Sequence, residues 1–106
     1  MPKFLIEASY TLEGVRGLRA AGGSSRRDAV AHALESAGGS LDHFYFGFGE
    51  SDAYVIADLP DAEAAAAVAL TVNAAGGATT RTVLLLTPEE VDAAAERSVE
   101  YRPPGS

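Results

Sequence analysis

Two β-forming runs, Ser40 to Phe48 and Ala53 to Leu59, flank the short polar stretch Gly49-Glu50-Ser51-Asp52. A link that short admits a hairpin and no crossover, so the two runs pair antiparallel. Gly38-Gly39 precedes the hairpin and Pro60-Asp61 follows it, and beyond each lies a segment with helical spacing. The chain must therefore lay helices against a sheet that contains this hairpin.

The flanking segments complete the pattern. Lys3 to Tyr10 alternates Phe4, Ile6, Ala8 and Tyr10 with Leu5, Glu7 and Ser9, which predicts a first strand. Thr11 to Ala21 has Leu12, Val15 and Leu18 at helical spacing but is broken by Gly14 and Gly17, so it reads as a weak turn or short helix before a flexible Gly22-Gly23. Ser24 or Ser25 can cap a helix over Arg26 to Ala37, whose Val30, Ala33, Leu34 and Ala37 form one stripe. Asp61 to Ala75 is a second helix, entered through Pro60 and left through Gly76-Gly77, and Thr79 to Thr87 is the fourth strand. Thr87-Pro88-Glu89-Glu90 then combines an N-cap Thr, a Pro at the first helical position and a Glu at the third, a capping box that opens a last helix to about Arg97.

This order is an α+β, ferredoxin-like βαββαβ fold with a four-stranded antiparallel sheet and a C-terminal helix, one domain over residues 1–97 followed by an extended tail over 98–106. Two helices cover one face of such a sheet and leave the other bare. The residues assigned to the bare face are still substantially apolar, more than a soluble monomer usually exposes. Two sheets are therefore expected to pack face to face, as a homodimer or a higher homo-oligomer.

The hairpin register decides which side chains share that face. An even loop pairs Phe48 with Ala53, Phe46 with Val55 and Phe44 with Ala57, and gives the opposite face Leu41, His43, Tyr45, Gly47, Tyr54, Ile56 and Asp58, with His43 close to Asp58. An odd loop flips the third strand. The even register is preferred because it separates an apolar layer from a titratable one.

Composition narrows the chemistry. At 106 residues and 47% apolar the chain is long enough for one globular core. Its formal charge of −7 repels polyanions, which argues against nucleic acid. Without cysteine it has no disulfide, thiolate nucleophile or cysteine-ligated metal, and two histidines make a poor metal site. No run approaches the roughly 18 apolar residues of a spanning helix, and Met1 to Glu7 lacks a signal peptide's apolar region, so a soluble cytoplasmic protein with no membrane partner is expected.

His43 is the candidate for proton transfer, because imidazole titrates near neutral pH and a carboxylate neighbour would fix its tautomer. Glu7, Tyr45, Asp52, Tyr54, Asp58 and Arg81 are the candidates for contact with a ligand. A His and two Tyr at a polar sheet interface also serve as hydrogen-bonded packing residues, and Arg81 could pair with an acid or guard a strand edge. Arg26-Arg27 beside Gly22-Gly23-Ser24-Ser25 could hold a phosphate or carboxylate through free backbone N–H groups, although a flexible loop and a solvated helix face explain the same residues. His32 lies off the Val30/Leu34 stripe and reads as a surface residue.

Lys3-Phe4-Leu5-Ile6-Glu7-Ala8-Ser9-Tyr10-Thr11, the acidic turn from Gly49 to Asp52, Leu59-Pro60-Asp61 before an alanine-rich helix, and Gly76-Gly77-Ala78-Thr79-Thr80-Arg81-Thr82 together resemble the GYD domain family over roughly residues 3 to 95. These are small bacterial and archaeal proteins of uncharacterised function. The family's Tyr-Asp pair falls on Ser51-Asp52, so the acid matches and a serine replaces the tyrosine. The resemblance implies a dimeric α+β barrel, similar to cofactor-free monooxygenases and isomerases and to haem proteins that decolourise dyes or decompose chlorite. The haem branch needs an axial ligand facing a large cavity, which His32 fits poorly, and no cofactor is expected. Fold does not carry function across so diverse a group. Three readings follow: a non-catalytic dimer that binds a small ligand or a protein partner at the sheet–sheet interface, a cofactor-independent isomerase or monooxygenase using His43 with Tyr45 and Tyr54, and a structural or assembly module.

Overall fold

A computed structural model describes residues 1–105. The elements are β1 (Lys3–Tyr10), α1 (Leu12–Ala21), α2 (Gly23–Ser36), β2 (Ser40–Phe46), β3 (Ala53–Asp58), α3 (Ala62–Ala74), β4 (Ala78–Leu85) and α4 (Pro88–Ala95). All strand pairs are antiparallel, in the order β2-β3-β1-β4. This is the expected ferredoxin-like sheet. The capping box is present as expected, with Glu90 N–H donating to Thr87 Oγ1 at 3.1 Å and Thr87 N–H to Glu90 Oε1 at 2.8 Å. No helix among the described residues is long and apolar enough to cross a membrane.

The core follows the alternation of the strands. Phe4 and Ile6 of β1 and Val55 and Ala57 of β3 point toward the helices, where Leu34 of α2, Ala65 of α3 and Leu59, just past β3, meet them. Along β3, buried and half-buried residues alternate without a break, the signature of a strand with one covered side. Each large aliphatic side chain fully withdrawn from water stabilises the fold by about 1.5–3 kcal/mol before conformational entropy is charged against it.

Two helical boundaries differ from expectation, and both differences trace to glycine. Gly14 does not break α1. A Cβ at Gly14 would collide with the carbonyl oxygen of Gly77, so the position carries glycine to let α1 lie against the turn that follows α3. Thr11 fastens the same approach, accepting from Gly14 N–H at 3.2 Å and donating its hydroxyl to the Gly76 carbonyl at 2.9 Å. Nor are Gly22-Gly23 a flexible linker capped by Ser24 or Ser25. Gly22, at φ +92°, donates its N–H to the Leu18 carbonyl and accepts from Arg26 N–H, so one residue ends α1 and starts α2. Arg26 N–H is thereby occupied within the helix.

The hairpin keeps its even parity but moves by two residues. Phe46 pairs with Ala53 and Phe44 with Val55, and the loop spans Gly47 to Asp52. Phe48 has left the strand: it sits at φ +54°, largely exposed and stacked on Phe46 at 5.7 Å. A bulge at Asp42 lies between the pairs Leu41↔Ala57 and His43↔Ile56, so Leu41 packs on the core and does not join His43 on the opposite face.

The far end of the molecule is less covered. Leu84, Leu86 and Val91 are each more than half exposed, α4 buries no residue, and the longest dimension is 56 Å against 33 and 23 Å for the others.

Candidate functional site

On the face away from the helices, the registers line up cross-strand rows. One row runs Arg81, Glu7, Tyr54, Tyr45; the next runs Val83, Leu5, Ile56, His43; a third holds Leu85, Lys3, Asp58 and Ser40. Glu7, Tyr45, Tyr54, Asp58, His43 and Arg81 thus share one side of the sheet, as the alternation predicts. They do not form one cluster.

The first row is tied to the hairpin loop by a buried serine. Arg81 Nη2 donates to Ser51 Oγ at 3.1 Å and to Glu7 Oε1 at 3.4 Å, and Ser51 Oγ donates to the same carboxylate oxygen at 3.4 Å. Ser51 is 1% exposed, whereas the Arg81 side chain is 66% exposed. The two contacts at 3.4 Å are long, and an ion pair this open to water contributes about 0–1 kcal/mol. Its geometry matters more than its strength: the serine and the carboxylate hold a guanidinium over the bare face with donors to spare.

The third row is a separate cluster. Lys3 Nζ lies 2.9 Å from Asp42 Oδ2 and 3.0 Å from Asp58 Oδ1. The hydrogen bond from Lys3 holds the Asp42 carboxyl below its ordinary value, and the hydrogen bonds to Asp42 and Asp58 raise the lysine. Asp58 is therefore the partner of Lys3. His43 pairs across the sheet with Ile56, its carboxylate contact is Asp42 at 4.0 Å, and its ring is 55% exposed and lies parallel to Tyr45 at 6.4 Å. The carboxylate expected to orient the imidazole is engaged elsewhere.

Asp52 plays a backbone role. Its Oδ2 accepts from Tyr10 N–H at 2.8 Å and its own N–H donates to the Ala8 carbonyl at 2.8 Å, so the acid clamps the hairpin loop to the end of β1. A side chain that completes a strand's hydrogen bonding is as much structural as functional. The loop thus carries both an anchor, Asp52, and the buried polar contact, Ser51. The GYD domain family matches residues 4–95.

The chain belongs to the GYD domain family. The match takes in β1 from Phe4 onward, the other three strands and α4. No curated protein and no solved structure gives a significant match. In this GYD domain Ser51 is the most enclosed polar side chain of the described residues, in contact with Glu7 and Arg81.

The sheet has a second hollow, on its helix side. A cavity of about 250 Å³ lies between α2, α3 and the strands, with Tyr10 and Arg26 among its lining residues. Sequence reasoning placed any pocket on the bare face and missed this one. The available signal was the alanine and glycine at positions where larger residues would fill the space, such as Ala33, Ala53 and Ala75. Among the described residues no three His, Asp or Glu side chains converge as a metal site.

Proposed function

We propose that this GYD domain is a cytoplasmic homodimer whose bare sheet faces pack together, with Arg81, Glu7 and Ser51 forming the polar centre at which a small ligand is held. The observation that carries this reading is the composition of the uncovered face. Leu5, Ile56, Val83 and Leu85 lie beside Tyr45 and Tyr54, with Tyr45 67% and Val83 44% exposed. Covering that surface removes apolar area from water, and a second copy brings a face of the same shape. Once covered, the Arg81 guanidinium would lose solvent, and an anionic or hydrogen-bonding ligand would satisfy its free donors.

Sedimentation equilibrium at micromolar concentration tests the dimer. The wild type is expected to sediment as two copies and Ile56→Lys as one folded copy; a folded wild-type monomer would overturn the reading. Arg81→Ala should then keep the dimer while weakening any ligand found by thermal shift against metabolite pools.

A catalytic version uses His43 as acid or base, with Tyr45 stacked beside it on the same face. His43→Ala should abolish turnover without changing the sedimentation; unchanged turnover eliminates that version.

A further inference from the structure

We propose that the helix-side cavity is a binding site for a small apolar molecule bearing a single carboxylate. The site lies on the other side of the sheet from the proposed dimer face and does not depend on it. The space is a cleft of about 250 Å³, partly open to solvent, large enough for several atoms of a small molecule. Its wall is made largely by Ile6, Val30, Phe44, Val55, Val68 and Val72, which offer water almost no hydrogen bonds. It falls below the roughly 300–1,000 Å³ of pockets for drug-sized molecules, so the occupant is small.

Two lining residues, half-buried Tyr10 and exposed Arg26, carry polar groups. The Arg26 guanidinium and the Tyr10 hydroxyl make no hydrogen bond or ion pair with the other described residues, whereas Thr71 donates its hydroxyl to the Ala67 carbonyl and Thr80 accepts from Asn73. Burial raises the Tyr10 phenol, an effect that the positive charge of Arg26 opposes and the negative charge of Asp52 reinforces. The phenol is therefore neutral and a hydrogen-bond donor at physiological pH. A guanidinium and a phenol together are a donor set for a carboxylate.

The position of Arg26 fixes the orientation of the occupant. A second hollow of about 390 Å³ between α1 and α2 shares Gly14, Arg26, Ala75 and Gly77 with the cavity. Arg26 thus stands where the outer groove meets the apolar chamber, so the charged head stays at the junction and the apolar body points inward. Glu13 lines the outer groove and Asp52 lies near Tyr10, which disfavours a dianion such as a phosphate ester.

The probes are octanoate and octanol, titrated calorimetrically into the full chain, with amide chemical shifts to locate them. Octanoate is expected to bind with shifts at Tyr10, Arg26 and Val30, more tightly than octanol, and Arg26→Gln should weaken octanoate about tenfold or more while leaving octanol unchanged. Ala33→Leu, which fills the chamber, should abolish binding of both. Equal affinity for the two probes with no effect of Arg26→Gln would overturn the assignment of charge. Absence of binding by either probe, or full binding by Ala33→Leu with a native amide spectrum, would overturn the site itself.

Discussion

Val55 and Ile56 are neighbours in the chain and sit on opposite sides of β3. Val55 is 4% exposed among Phe4, Ile6 and Leu34, while Ile56 looks out from a row of Leu5 and Val83 that no helix covers. The difference shows how the two faces of one sheet diverge: the helix side is apolar and completed within the chain, whereas the other side sets Leu5, Ile56 and Val83 among Arg81, Glu7, His43, Lys3 and Asp58.

The sharpest way to break this contrast is to charge each residue in turn. Val55→Asp places an unpaired carboxylate in the core and should cost more than about 4 kcal/mol, enough to unfold a domain of this size, as read by circular dichroism. Ile56→Asp should leave the fold intact and change only self-association. If both unfold, the bare face belongs to the core and the contrast is wrong.

A smaller effect compares two glycines. At Gly39 a Cβ would collide with the Asp58 carbonyl oxygen, at the junction where α2 hands the chain to β2. Gly39→Ala should destabilise by about 1–3 kcal/mol in denaturant titrations. At Gly17 a Cβ meets nothing within 4 Å, so Gly17→Ala should gain up to about 1 kcal/mol of helix stability.

The smallest effect concerns the exposed charges of the bare face. Lys3 lowers Asp42 from its ordinary 3.8, so the carboxylate's contribution is present above pH 3.8 and is lost as pH falls through its depressed value. Lys3 itself is raised from 10.5, so its contribution is present below pH 10.5 and is lost as pH rises through the higher value. Asp42→Asn should therefore differ slightly from wild type at neutral pH, and the gap should close in strong acid and in high salt. A gap that persists in acid would assign Asp42 a role other than its charge.

Much of this architecture was legible because it is encoded locally. The Thr87-Pro88-Glu89-Glu90 box, the glycine and proline stops and the two-residue alternation of β1 each act within a few residues, and each appears where expected. Gly14 was misread because its reason is tertiary: the residue that makes it necessary is Gly77, far along the chain. The shift of the hairpin has the same origin, since Asp52 is claimed by the end of β1 and so lengthens the loop. At the site, a pairing of Arg81 with an acid was readable as one option, but Glu7 as its partner required the register. Ser51 carried no signal, since a serine in a polar turn looks the same whether it is buried or wet.

Asp42 is one extra residue in an outer strand, and its effect extends beyond the kink it causes. By putting β2 out of step with a straight neighbour, it spoils the template that a free rim would otherwise offer to another chain's amides and carbonyls. Copies of the protein are thereby steered from stitching themselves side to side into open ribbons.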